Sequence, residues 1–244
     1  MIGNLAENES GSLMVSPAES AEICFFSQIF GPAMVENPTY EIEDEFEDPI
    51  AGVDEAGRGP WAGPVVAAAV ILDRATAPEG LRDSKTLTEK RRRELAAALW
   101  KTARIGVGVA SVEEIDTMNI LRASLLAMAR AVANLPVAPA IAIVDGNIKP
   151  KLRCPAYTVV KGDLKSMSIA AASIIAKTTR DRMMIELARD YPNYCWHSNK
   201  GYAAPAHRDA LMRFGVTPHH RRSFSPIHNM LYEESSKPFL STNG

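Results

Sequence analysis

The stretch "AGVDEAGRGP", residues 51–60, constrains this chain more than any other. An apolar run ends on two adjacent acids, Asp54 and Glu55, and a glycine-flanked arginine, Arg58, follows at once. An apolar run closed by glycines reads as a strand entering a turn. Strand ends are where α/β sheets collect their sites. Neighbouring side chains on a strand point to opposite faces. Asp54 and Glu55 can therefore share one site only if the strand bends or ends there, and "AGRG" suits such a break.

The rest of the chain supplies the sheet. "PIAGVDE", "PVVAAAVIL", "RIGVGVASV", "AIAIVDG" and "CPAYTVV" read as strands. Three segments read as helices: "TLTEKRRRELAAALWKTA", with Thr86 and Glu89 spaced as a capping box, "MNILRASLLAMARAVANL", and the long "SMSIAAASIIAKTTRDRMMIELARDY". Residues 191–244 mix short helices with loops. Hairpin-like strands first and strand–helix alternation later imply an α/β fold, a mixed sheet with a helical C-terminal segment. The expected organisation is an extension over 1–48, a sheet-bearing domain over 49–190 and the C-terminal segment and tail over 191–244.

Charge divides the chain at the same place. Residues 1–48 hold 11 of the 29 acids and no Lys or Arg, so the remainder holds all 27 basic residues against 18 acids. The extension is rich in Ser, Glu, Gly and Asn and reads as disordered. Its acidic end, "YEIEDEFEDP", reads as solvated. A basic body suits a polyanionic partner such as nucleic acid. No run of 18 apolar residues occurs, so a membrane span is not expected. The N-terminus has no basic region of the kind a secretory signal carries. The three cysteines, Cys24, Cys154 and Cys195, form neither a zinc motif nor a disulfide framework, and the expected setting is a reducing cytoplasm.

Asp145 closes a second strand, and Asp163, in "KGDLKS", stands at the entrance of the long helix. Four carboxylates brought together would repel one another unless a cation neutralised them. All-oxygen donors favour Mg²⁺ or Mn²⁺ over zinc or copper. Spacing alone leaves both readings open for each acid, a metal ligand or a solvated loop residue. The same holds for Arg58, an exposed turn residue or a substrate contact. Lys85, Lys161, Lys177, Arg180 and Arg182 are candidates for phosphate contact, with solvated or ion-paired roles open for those on the long helix. Asp181 reads as the helical partner of Lys177.

Taken together, "AGVDEAGRGPWAGPVVAAAVIL", "LRDSKTLTEKRRREL", "AIVDG", "VVKGD", "SIAAASIIAKTTRDRMM", "NKGYAAPAHRDAL" and "GVTPHHRRSF" resemble the ribonuclease HII family over roughly residues 49–226. The resemblance implies a ribonuclease H-like mixed sheet flanked by helices. It implies an endoribonuclease that hydrolyses the RNA strand of RNA–DNA hybrids and cuts 5′ of ribonucleotides embedded in duplex DNA, leaving 3′-hydroxyl and 5′-phosphate ends. It implies catalytic, metal-holding carboxylates at Asp54, Glu55, Asp145 and Asp163, serving two Mg²⁺ or Mn²⁺ ions in a monomer. Substrate contacts are implied at Gly57, Arg58, Gly59, Lys85 and Tyr202, the tyrosine packing against the deoxyribose that follows a ribonucleotide. Ala204 departs from the pattern, since family members commonly carry Thr there. A hybrid-binding module without catalysis is disfavoured because all four acids are present. None of the five histidines is needed as a base.

Overall fold

The computed structural model describes residues 37–235. The disorder expected over residues 1–36, and the tail beyond 235, lie outside them. Five strands form one mixed sheet in the order β3-β2-β1-β4-β5. They are β1 (Ile50–Ala56), β2 (Val65–Ile71), β3 (Arg104–Ala110), β4 (Ile141–Asp145) and β5 (Ala156–Val159). β1, β2 and β3 pair antiparallel, whereas β4 pairs parallel to both β1 and β5. The helices are α1 (Glu89–Thr102), α2 (Val112–Met118), α3 (Ile120–Ala133), α4 (Met167–Asp190), α5 (Trp196–Asn199), α6 (Pro205–Phe214) and α7 (Ser225–Ser235).

Alternation along the strands sorts the core into two layers. Val53, Val65, Ala67, Ala69 and Val144 meet Ala123, Ala127 and Met128 of α3 on one face. On the other face, Ala68 and Val70 meet Leu95 and Leu99 of α1 and Ala171, Ala172, Ile174 and Ile175 of α4. α4 lies very close to β1: a β-carbon on Gly52 would stand 2.0 Å from the Ser168 carbonyl carbon. Only glycine permits that approach. The C-terminal helices bury Trp196, Leu211 and Ile227 against Ala62, Met184 and Ala188, closing over the end of α4 and the loop after β1.

Three expectations need correction. The cap of α1 is Thr88, whose hydroxyl accepts from the Arg91 amide; Thr86 instead donates to the Asp83 carbonyl in the preceding turn. The helix expected over 118–135 is present as α3, but the strand expected over 104–112 stops at Ala110 and a short helix that was not expected, α2, follows it. α2 and α3 meet at Asn119, which has φ 73° and whose side chain caps α3 by accepting from the Arg122 amide. Ser111 and Glu114 form the capping box that opens α2.

The third correction moves the start of the packed body from residue 49 to residue 37. Thr39 and the stretch before α4 exchange backbone bonds, Thr39 N to Lys165 O at 3.0 Å and Met167 N to Thr39 O at 3.1 Å. Ile42 and Phe46 pack on Ile50, Ile143, Val159 and Ile169. Glu43, read as solvated, is buried. Its Oε1 accepts from Ser166 Oγ at 2.7 Å and from the Ser168 amide at 2.9 Å, at the N-terminus of α4. A carboxylate there satisfies an amide left free by the helix and favours the helix dipole. Glu43→Ala would strand both donors. It is expected to cost about 1–3 kcal/mol in urea unfolding; a change below roughly 0.5 kcal/mol, the usual surface effect, would show that this strap is dispensable.

Candidate active site

The parallel register builds the centre of the site. Val53 stands beside Val144, so the next residues, Asp54 and Asp145, stand abreast at the same end of adjacent strands. Val53 and Val144 face α3, so Asp54 and Asp145 face α4. Asp145 Oδ1 accepts from the Gly162 amide at 2.7 Å. That bond brings the following residue, Asp163, to the same end of the sheet. Asp54 and Asp163 are 4% and 7% exposed.

Glu55 does not copy Asp54. The strand ends at the expected glycine turn but one residue later than Glu55: β1 continues to Ala56, and Glu55 pairs with Ala67 on the α3 face. β4 ends at Asp145, so Glu55 stands one residue past the end of its neighbour. Its Oε1 accepts from Arg58 Nη1 at 3.2 Å, and its Oε2 is buried without a hydrogen-bond partner. Its own amide donates to Asp54 Oδ1 at 2.7 Å.

The electrostatics follow from this crowding. Burial pushes the Asp54 carboxyl well above the usual carboxylate range, and the charges of Glu55, Asp145 and Asp163 push it further. Burial also raises Glu55, against the opposing pull of Arg58. Asp163 is raised by burial and by Asp83, against the pull of Lys85. Lys85 Nζ lies 3.4 Å from Asp163 and 3.8 Å from Asp83. Asp83 was not anticipated; "DSK" marked Lys85, but the turn that presents it, with Asp83 Oδ1 accepting from the Lys85 amide, also delivers a fifth acid. Among the described residues, no group of three or more His, Cys, Asp or Glu side chains is arranged to hold a metal ion as it stands. The acids are neighbours on two faces of one strand end, and their donor atoms are all carboxylate oxygens.

Beside the acids lies the Gly57–Arg58–Gly59 loop. Tyr202 is 45% exposed, and its ring comes within 3.9 Å of where a β-carbon on Gly59 would stand. Lys177 Nζ sits 5.9 Å over that ring while pairing with Asp181 at 2.6 Å, the helical pair expected. Arg182 is exposed and reaches Glu186 at 3.9 Å, and Lys161 is an exposed left-handed residue before the turn of Asp163. Arg180 is not a phosphate contact. It is 1% exposed and donates to the carbonyls of Pro64, Lys200 and Ala62, each at 3.0 Å.

Behind Tyr202 runs a buried ring network of Trp196, His207 and His220, residues that carried no expected role. His207 Nδ1 bonds the Tyr202 carbonyl at 2.8 Å, so it carries the proton there. His207 Nε2 is then the acceptor for Trp196 Nε1 at 3.1 Å and His220 Nε2 at 3.0 Å. His220 Nδ1 in turn accepts from the Thr217 amide at 3.0 Å. The chain of donors is consistent only with two neutral histidines.

A family model described as ribonuclease HII matches residues 51–227. A ribonuclease HII of Ruegeria pomeroyi is 60% identical over 186 residues, covering 76% of this chain and 80% of the relative. One of Paracoccus denitrificans is 57% identical over 188 residues, covering 77% and 90%. The crystal structure of the ribonuclease H2 of Pyrococcus horikoshii is similar at a TM-score of 0.65 and 28% identity, covering 77% of this chain and 99% of that one.

The histidine network has a consequence for pH. Burial, with the His207 charge next in weight, pulls His220 down to about 3, and burial lowers His207 as well. An unfolded histidine titrates near 6.5. Below that value the unfolded chain binds protons that the folded one refuses. Stability is therefore full above about pH 6.5 and falls with pH, by up to about 1.4 kcal/mol per unit per histidine. Between pH 7 and pH 5 the melting temperature is expected to fall relative to that of His220→Gln, which keeps the raised carboxyls that act in the opposite sense; a difference between the two that stays constant over that range would contradict the neutral network.

Proposed function

This chain belongs to the ribonuclease HII family and is a hydrolytic endonuclease of the ribonuclease H class, and from that premise we propose the details of its reaction. It cuts the RNA strand of RNA–DNA hybrids and cuts 5′ of ribonucleotides embedded in duplex DNA, leaving 3′-hydroxyl and 5′-phosphate ends. The observation that carries this reading is the set Asp54, Asp145 and Asp163 at one end of the sheet, with the glycine loop and Tyr202 beside it.

The donor set fits a hard divalent cation, Mg²⁺ or Mn²⁺. It is made of carboxylate oxygens, and Glu55 Oε2 is buried with no other partner. Asp54 and Asp145 would hold the metal from the sheet, Asp163 from the start of α4, and Glu55 from the far side of β1. When bound, a pair of such ions supplies an activated water and charge stabilisation for the departing 3′-oxygen. The chain's own part is positional. The parallel ladder aligns two acids without help from side-chain contacts. Lys85 pairs with Asp163 and is largely exposed, so a phosphate could meet it from solvent. Arg58 pairs with Glu55 and is exposed on its other side.

Recognition is assigned to the loop and the tyrosine. Backbone at Gly57 and Gly59 can approach a sugar closely, and the 2′-hydroxyl is what separates RNA from DNA there. The Tyr202 ring accepts a deoxyribose and crowds a ribose, favouring a ribonucleotide-to-deoxyribonucleotide junction. Contacts from the basic body to phosphates add affinity without reading sequence. Action as a monomer is part of this proposal. No helix among the described residues is long and apolar enough to cross a membrane.

Asp54→Asn is expected to reduce cleavage of a duplex with one embedded ribonucleotide by at least about 100-fold, the scale of losing a group that acts in the transition state. Gel-shift affinity for the same duplex should survive; unchanged turnover in Mg²⁺ would sink the assignment. Tyr202→Ala should keep activity on long hybrids and lose preference for the lone ribonucleotide. Mapping cut sites on both substrates reads this directly, and an unaltered ratio removes Tyr202 from junction recognition.

A further inference from the structure

Two arginines that serve no ion pair lie beneath the glycine loop. Arg221 is 0% exposed and Arg180 is 1% exposed. Neither has a carboxylate within ion-pair distance among the described residues. All their donors end on backbone carbonyls, and all but one of these belong to the loop over residues 57–64. Arg221 Nε donates to Gly63 O at 2.9 Å, Nη1 to Arg58 O at 2.9 Å, and Nη2 to Gly57 O at 2.5 Å and Pro64 O at 3.2 Å. Arg180 takes Pro64, Ala62 and Lys200 from the other side. Burying two unpaired cations together is unfavourable; burial and the Arg180 charge pull Arg221 down to about 9, still charged at neutral pH. A fold needing only a closed loop could use an apolar plug.

The peptide bond explains what the arginines achieve. In a trans peptide, the C=O and the N–H of the next residue point in opposite directions. Gly57 O aimed inward at Arg221 turns the Arg58 N–H outward. Arg58 O aimed inward turns the Gly59 N–H outward. Arg58 and Gly59 are exposed, and among the described residues no acceptor meets either amide. The left-handed φ of 99° at Gly57 permits the turn, and a β-carbon there would stand 2.0 Å from Arg180 Nε. Two successive outward amides, backed by buried positive charge, form a donor pair of the kind that holds an oxygen.

We infer that Arg221, braced by Arg180, is a positioning residue for ribose recognition, fixing the Gly57–Arg58–Gly59 backbone so that the Arg58 and Gly59 amides meet the 2′-hydroxyl. This rests on the loop reading proposed above. Lysine cannot replace the arginine, because one ammonium cannot span carbonyls on residues 57, 58, 63 and 64 in a fixed plane.

The test measures binding in the Asp54→Asn background, with two duplexes that differ only in one ribonucleotide. The added Arg221→Lys change is expected to lower the preference for the ribonucleotide duplex by roughly 3- to 10-fold, the worth of one neutral hydrogen bond or slightly more. Affinity for the all-DNA duplex should change little. A control, Arg130→Ala, removes the remote Glu114 pair and should destabilise without touching the preference. Retained preference with Arg221→Lys, or equal loss in the control, overturns the inference. Absence of any preference in Asp54→Asn alone instead overturns the loop reading on which it rests. Should Arg221→Lys fail to fold, amide NMR of Asp54→Asn decides. The Arg58 and Gly59 amides should shift with the ribonucleotide duplex and not with DNA, and equal shifts refute the assignment.

Discussion

The parallel ladder between β1 and β4 is the constraint on which the rest depends. Its register puts Asp54 and Asp145 abreast on one face. Two carboxylates about 4 Å apart at an effective dielectric near 20 repel by about 4 kcal/mol. No sequence would place them so for stability alone. The surrounding structure holds the arrangement by other means. A fully buried β2 of seven residues flanks β1 on one side, and α4 rests against Gly52 with no side chain between. Glu43 and Thr39 pin the start of α4, which also fixes where Asp163 lies.

Buried charge is handled in three different ways around this site. The acids are left crowded, with the carboxyls of Asp54, Glu55 and Asp163 raised chiefly by burial, a strain that a divalent cation would relieve. The guanidiniums of Arg180 and Arg221 are satisfied by carbonyl oxygens, which neutralise them by dipoles and in doing so orient the loop. The histidines 207 and 220 are kept neutral and joined in one donor chain. Each solution suits its task. A metal site needs unspent negative charge, a recognition loop needs fixed amides, and a wall behind an aromatic ring needs rigidity without field.

How much of this the sequence discloses depends on whether an interaction repeats locally. All five strands, the long helix and the acids at the strand ends are legible, because period-two and helical patterns and their punctuation are local signals. The pleat also showed that Glu55 should not follow Asp54; what sequence could not show was that β1 would run on to Ala56, making Glu55 a neighbour from the opposite face. Thr86 and Thr88 both precede α1, and the Asp83 turn that takes up Thr86 is a side-chain event with no periodicity. Glu43 bonds a residue 125 positions away, and Arg221 bonds one 164 positions away. Their partners are backbone groups, which every residue carries, so nothing in the sequence marks the pair.

Ala204 brings these threads together. It occupies the N-cap of α6, where its side chain offers no acceptor to the first turn. The family's threonine would supply one there. The absence weakens that helix end, and on sequence grounds it put the placement of Tyr202 in doubt. Yet the restraint on Tyr202 does not pass through residue 204's side chain. It passes through the Tyr202 carbonyl to His207, one turn into α6, and on to Trp196 and His220. A cap hydroxyl would hold the helix; the imidazole holds the residue before it. The ring beside Gly59 is thus placed by buried aromatic packing that does not need the missing methyl and hydroxyl. The same loop is gripped from beneath by Arg221. On the proposed reading, recognition rests on two anchors, both drawn from the C-terminal third of the chain, while the acids come from the sheet and the start of α4. The helical segment after Asp190 would then be the part of the fold that gives an acidic strand end its sense of ribose.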